Sequence, residues 1–277
     1  MIMNILIYII IFLIIAITYI HIIYHIKTSN KMEVYDIDYN GVTHLNEICD
    51  LRQPFTFRCS KECINISKEN TITSNTKINI IKKEEIDEKT NKILSHNNDL
   101  LVKLPETEEK ILNFEHYIKP NFNITSLYDI LFADEDMTTN LSYNYNYRNF
   151  FHITEGSIII RFLPPNVTNK INHHTDYELL QEISNVDIWK NNDNFKYVEI
   201  KISSNDTLFI PPYWWYSIRF LEPTTIVTFK YRTLMNNVTI LPKLLYSYIT
   251  IHNRKLNLRI KNKKGKRKKK KNVSFKE

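Results

Sequence analysis

Between Asn149 and Tyr231 the chain is a series of short apolar strands separated by turn residues, and that pattern limits it to a sandwich or a barrel of jelly-roll type. Asn149-Phe-Phe-His-Ile-Thr154 leads through Glu155-Gly156 into Ser157-Ile-Ile-Ile-Arg-Phe-Leu163, which predicts a hairpin ended by Pro164-Pro165. Lys196–Ile202 alternates with period two, and Asn205-Asp206 turns into a strand over Thr207–Ile210. Pro211-Pro-Tyr-Trp-Trp215 then carries the chain into Tyr216–Phe220, followed by Thr224–Tyr231. Leu51–Phe57 predicts an earlier strand, with Pro54 where no ladder donor is needed. Apolar residues at helical spacing predict short helices over Ile111–Ile118 and over Ser126–Phe132, the second beginning on an N-cap residue. A further apolar helix, Leu241–Ile251, is expected to pack on the β domain.

The N-terminal region is different in kind. Ile5–Tyr24 carries no charged residue and reaches the ~20 residues needed to cross a ~30 Å hydrocarbon core. No basic segment precedes it and no small-x-small cleavage site follows, so an uncleaved anchor is expected rather than a signal peptide. Lys27 and Lys31 follow the span, which places the body on the cytosolic side. The sequons at Asn65, Asn123, Asn166 and Asn237 would suit a lumenal body instead, but so Asn-rich a chain acquires sequons by chance.

Charge is divided just as sharply. The net charge is +7, yet residues 254–271 hold twelve Lys and Arg and no acid, which leaves 7 − 12 = −5 for the rest. That tail should be disordered through self-repulsion and can meet an anionic lipid surface or a nucleic acid. Abundant Ile, Asn, Lys and Tyr, with only 3 Gly, follow AT-rich codon usage, so Lys- and Asn-rich stretches carry reduced weight. The polar, loop-rich 60–110 segment is one such stretch. Cys49, Cys59 and Cys63 are too few for a disulfide framework, and Cys59-x3-Cys63 has no second ligand pair nearby to complete a zinc site. Free thiols or a single disulfide are expected.

Three blocks then stand in order. They are Asn149-Phe-Phe-x4-Gly156-x7-Pro164-Pro165, Asp206-x-Leu-Phe-Ile-Pro-x-Tyr-Trp-Trp215 and Thr225-Ile-Val-Thr-Phe-x-Tyr231. Together they resemble the catalytic half of the Jumonji-C-like cupins, most closely the asparaginyl-hydroxylase type. With Tyr147-Arg-Asn-Phe-Phe151 and Tyr231–Ile240 added, the set is similar to membrane-anchored cupin-like proteins of large DNA viruses, which would place the chain in a host or virion membrane. The resemblance implies a mainly β double-stranded β-helix with flanking helices behind one transmembrane helix. The expected division is 1–27 anchor, 28–50 juxtamembrane segment, 51–253 cupin-like domain and 254–277 basic tail.

Such oxygenases hold Fe(II) with two His and one carboxylate and leave positions open for 2-oxoglutarate and oxygen. Counting back from Asn149 puts the first two ligand positions at Tyr143 and Tyr145, and the third falls at Tyr216. The position of the lysine that pairs with 2-oxoglutarate falls at Ile158. Four losses together imply a former metal pocket occupied by tyrosines facing into one barrel, either as a dry, filled core or as a small polar pocket for a ligand, with Asn149, Trp214, Trp215 and Thr228 as candidate walls. His174-Thr-Asp176 spells a ligand pair but falls in a polar loop, while His152 reads as a core or surface histidine and His252 falls in the C-terminal helix or tail.

The expectation is therefore a membrane-anchored binding or scaffold module with no metal, no cofactor and no oxygenase activity. Two alternatives stand beside it. One is a hydroxylase using Fe(II) and 2-oxoglutarate through other ligands, and the other is a sugar- or peptide-binding jelly roll.

Overall fold

The computed structural model describes residues 2–58, 83–87, 92–97, 105–177, 179–190 and 195–253. It opens with helix α1 (Ile2–Ile26). Its apolar stretch Met3–Ile26 runs about 36 Å at 1.5 Å per residue, enough to cross a membrane, and its most apolar 18-residue window is not buried against the protein. Next come β1 (Tyr35–Asp38), α2 (Val42–Cys49), β2 (Phe55–Arg58), β3 (Lys83–Asp87), β4 (Lys92–Asn97) and α3 (Pro105–Ile118). The strands β5 (Asn123–Ala133), β6 (Leu141–Asn144), β7 (Arg148–Glu155) and β8 (Ser157–Leu163) follow. After a 3-10 turn at Pro165–Lys170 come β9 (His173–Asp176), β10 (Gln181–Ser184), β11 (Val198–Ser203), β12 (Asp206–Phe209), β13 (Trp215–Phe220) and β14 (Thr224–Thr233). Two helices, α4 (Leu234–Thr239) and α5 (241–253), close the described chain.

The strands form two sheets laid face to face, in the orders β1-β2-β12-β7-β14-β5-β4-β3 and β11-β8-β13-β6-β10-β9. From β5 to β8, and again from β11 to β14, successive strands alternate between the two, as a jelly roll requires. The predicted hairpin at Gly156 is therefore a corner. β7 pairs with β12 and β14 in one sheet, while β8 pairs with β11 and β13 in the other. Gly156 turns that corner with φ +85°, a conformation only glycine adopts without strain.

Period-two alternation sorts the apolar residues into layers. Ile153, Ile158, Ile160, Leu208, Ile218 and Ile226 fill the space between the sheets. Phe55, Phe57, Phe150, Phe209 and Phe229 lie on the outer face of the larger sheet, where Leu45 of α2 and Phe114 of α3 cover them. Trp215, Leu163 and Ile171 lie on the outer face of the smaller sheet with Ile240, and Leu244 of α5 packs against them.

Three further expectations are corrected here. Ser126–Phe132 is not a helix but the middle of β5, which pairs with β14 along its length, so sheet pairing outweighs the local helical spacing. Residues 28–50 are not a separate juxtamembrane segment. β1 pairs in parallel with β2, and Leu45 and Cys49 are core residues. His174 and Asp176 lie not in a loop but on β9, at the edge of the smaller sheet. Cys49 is a buried free thiol, and burial pushes its pKa up to about 12. Cys59, Cys63, Asn65, most of 60–110 and the basic tail lie outside the described residues.

Candidate functional site

One register settles what faces the interior. β13 meets β6 with Tyr216 opposite Ser142, and β10 meets β6 with Gln181 opposite Asn144 and Ile183 opposite Ser142. Cross-strand partners share a face, so Ser142, Asn144, Tyr216, Gln181 and Ile183 all look between the sheets. From the larger sheet, Asp129 and Thr228 face inward as another register pair, with Lys230 two residues further along β14.

Apart from Asn144, these side chains border a cavity of about 70 Å³, room for about two waters. Its polar lining includes Asp129, Ser142, Gln181, Tyr216, Thr228 and Lys230, with Leu131, Phe151 and Ile218 among the apolar walls. Lys230 Nζ reaches Asp129 Oδ2 at 3.5 Å, and the Thr228 hydroxyl donates to the Asp129 carbonyl at 3.4 Å. Burial pushes the Tyr216 phenol up to about 12, although the neighbouring Ser142 and Asn144 side chains pull it the other way.

Tyr143 and Tyr145 do not join Tyr216, which corrects the expectation of three tyrosines filling one barrel. They stand one residue out of phase with Ser142 and Asn144, and a one-residue step turns a strand side chain to the opposite face. The Tyr143 ring packs edge-on against Trp215 at 4.6 Å and against Tyr145 at 5.3 Å, in the outer cluster. The Tyr145 hydroxyl donates to Glu182, which also accepts from the Thr175 hydroxyl at 2.7 Å and from Lys243 Nζ at 2.8 Å. Burial opposes ionisation of Glu182, but the hydrogen bonds from Lys243, Tyr145 and Thr175 outweigh it and hold the carboxyl below its ordinary range.

The other candidate positions divide between the faces. Ile158 is fully buried on the inner face opposite Phe220, and Thr228 lines the cavity. Asn149 is fully buried opposite Lys230, and neither atom of its side-chain amide has a hydrogen-bond partner among the described residues. Trp214 belongs to the inner layer and its Nε1 donates to the Arg52 carbonyl at 3.1 Å, whereas Trp215 faces outward to Thr168 at 2.9 Å. His152 is a core group: its Nδ1 lies 3.0 Å from the Thr207 hydroxyl and its ring 4.6 Å from Phe114. His252 stacks on Tyr248 at the surface.

What decides the family is the match of a cupin-like domain model to well over half of the chain. The chain belongs to the cupin-like domain family. The family model covers residues 43–237, from α2 to α4. No curated protein matches the chain.

Membership raises the question of whether the cupin-like interior suits Fe(II). Two of its inward groups beside Tyr216 are a serine hydroxyl and an asparagine amide, both neutral, and the third is a phenol with a raised pKa. A facial triad needs two imidazoles and a carboxylate. The nearby carboxylate, Asp129, is engaged by Lys230. Among the described residues no three His, Cys, Asp or Glu side chains gather closely enough to hold a metal ion. Ser142, Asn144 and Tyr216 do not make up such a triad.

Sequence reasoning missed Ser142, Asn144, Asp129, Gln181 and Lys230. Asp129 was hidden by the helical reading of 126–132. The phase of β6 was hidden because the count back from Asn149 assumes one fixed length for the β6–β7 link.

Proposed function

We propose that this cupin-like chain is a membrane-anchored binding module that does not carry out Fe(II)/2-oxoglutarate chemistry. The observation behind it is the inward trio Ser142, Asn144 and Tyr216, which stands where the resemblance leads one to look for a metal triad and offers neutral oxygen and nitrogen donors. Lined as it is by hydroxyls, an amide and the Asp129–Lys230 pair, the cavity suits a small polar group or a few waters rather than an iron centre. α1 supplies the anchor, and Lys27 and Lys31 favour a cytosolic body.

The test is iron content together with 2-oxoglutarate turnover on the purified full-length protein in detergent. The expected result is substoichiometric iron and no 2-oxoglutarate-dependent succinate. Stoichiometric iron with succinate formation would overturn the reading in favour of a hydroxylase with unusual ligands. Thermal shifts on adding small polar molecules would then identify what the cavity accepts.

A further inference from the structure

α4 and α5 form one nearly continuous helix. Ile240 N donates to the Asn236 carbonyl at 3.1 Å and Leu244 N to the Ile240 carbonyl at 3.0 Å, so i to i+4 bonding runs through the junction. One side of this helix is used by the domain. Ile240 is buried, Leu244 packs on the Trp215 cluster and Lys243 enters the Glu182 network. The other side has no cover among the described residues. Leu234, Val238, Leu241 and Leu245 follow one another at three- and four-residue steps, Tyr248 and Ile249 stand three and four residues beyond Leu245 on the same face, and the exposures of the six run from 36% to 71%. An apolar strip of this length on a domain surface marks an interaction site.

Its position says what covers it. α4 abuts the end of α1, where His25 Nε2 lies 3.4 Å from the hydroxyl of Thr233, the N-cap residue of α4. The His25 ring is buried against Tyr147 at 5.1 Å, and the Arg52 guanidinium sits over both Tyr24 and Tyr147. The apolar strip thus begins where the membrane-spanning stretch ends. At its other end it runs into residues 254–271, with their twelve Lys and Arg.

We propose that α4–α5 is an interfacial helix on the bilayer crossed by α1, with its apolar strip set into the headgroup boundary and the basic tail on anionic headgroups. A lipid surface is the one partner that offers apolar and anionic matter together beside the anchor. A nucleic acid would engage the tail but leave the strip bare. A second copy would cover the strip but set one basic tail against another. The proposal rests on α1 spanning the bilayer.

The experiment uses full-length protein reconstituted into liposomes, with Cys59→Ser and Cys63→Ser and the buried Cys49 left in place. A fluorescent label is attached at Leu245→Cys, at Tyr248→Cys or at Lys201→Cys on β11, the opposite edge strand of the same sheet. Lipid-borne nitroxide quencher should reduce emission at 245 and 248 by about twofold more than at 201. The difference should grow with phosphatidylserine content, and that growth should vanish when 254–277 is deleted. Equal quenching at all three positions overturns the proposal, as does protection of 245 and 248 from both the lipid quencher and aqueous iodide. Alkaline carbonate extraction, run alongside, reports on α1 separately: release of the chain would sink the anchor reading rather than the seating of α4–α5.

Discussion

Ser142 stands directly opposite Tyr216 across the β6–β13 ladder, and this one pairing decides which side chains a ligand or metal could meet. It sets the interior phase at Ser142 and Asn144 and sends Tyr143 and Tyr145 to the outer face.

That phase makes a prediction by reconstruction. Ser142→His with Asn144→Asp and Tyr216→His should create a cobalt(II) site with the absorption bands of a nitrogen- and oxygen-ligated ion. Tyr143→His with Tyr145→Asp and Tyr216→His should not, because its first two ligands lie on the far side of the sheet. Circular dichroism of both triple variants would confirm that each is folded. Cobalt bands in the second alone would refute the interior assignment.

Much of the fold was legible because strand alternation is a short-range signal. β8, β11, β13, β14 and α5 lie within a few residues of where their patterns predict them. The failures share a cause in longer-range pairing. Gly156 looks like a hairpin turn locally, and only the partners of β7 and β8 reveal a change of sheet. Ser126–Phe132 satisfies a helical spacing, yet β14 claims it as a strand. For the site, Tyr216 was found from the sequence, but its neighbours depend on the length of one link, and a link of that kind leaves no periodic mark.

His152 should govern the first stage of acid destabilisation. Burial lowers its pKa from 6.5 to about 4, with the Asp206 charge opposing the shift. The folded state therefore prefers neutral imidazole more strongly than the unfolded chain does. Its contribution is complete above pH ~6.5 and is lost as the pH falls toward about 4, for a total of about 3 kcal/mol. In His152→Gln, denaturant midpoints measured from pH 7 to pH 4 should lose most of this slope. An unchanged slope would mean that another group titrates.

Glu182 acts in a lower window. Its folded pKa is held below the ordinary carboxylate value, so its stabilisation is present above pH ~4.3 and disappears as the pH falls through the folded pKa. Lys243→Met removes one of three donors from a carboxylate that is only 3% exposed and should cost about 1–3 kcal/mol near pH 7. The cost should shrink in a Glu182→Gln background, where no buried charge is left to satisfy. A double-mutant cycle on thermal unfolding measures that coupling. Strict additivity would show that Lys243 contributes independently of Glu182, through its contacts to Tyr145.

Gly156 should be the least replaceable residue of the β7–β8 corner. A methyl group there would lie 2.6 Å from the Pro223 carbonyl and closer still to the Thr224 hydroxyl, both fixed by the turn into β14. The backbone at φ +85° adds conformational strain for any L side chain. Gly156→Ala is therefore expected to destabilise by more than about 1 kcal/mol, the opposite of the small gain seen where a glycine's conformation tolerates a side chain. The other described glycine with positive φ, Gly41 at +98°, has open space around its missing Cβ. Gly41→Ala carries only the backbone cost, so the difference between the two variants in urea denaturation isolates the clash at the corner. Equal destabilisation would mean that β14 can move aside, and that the two sheets are joined less rigidly there than the Thr224 contact to the Ser157 carbonyl at 3.2 Å implies.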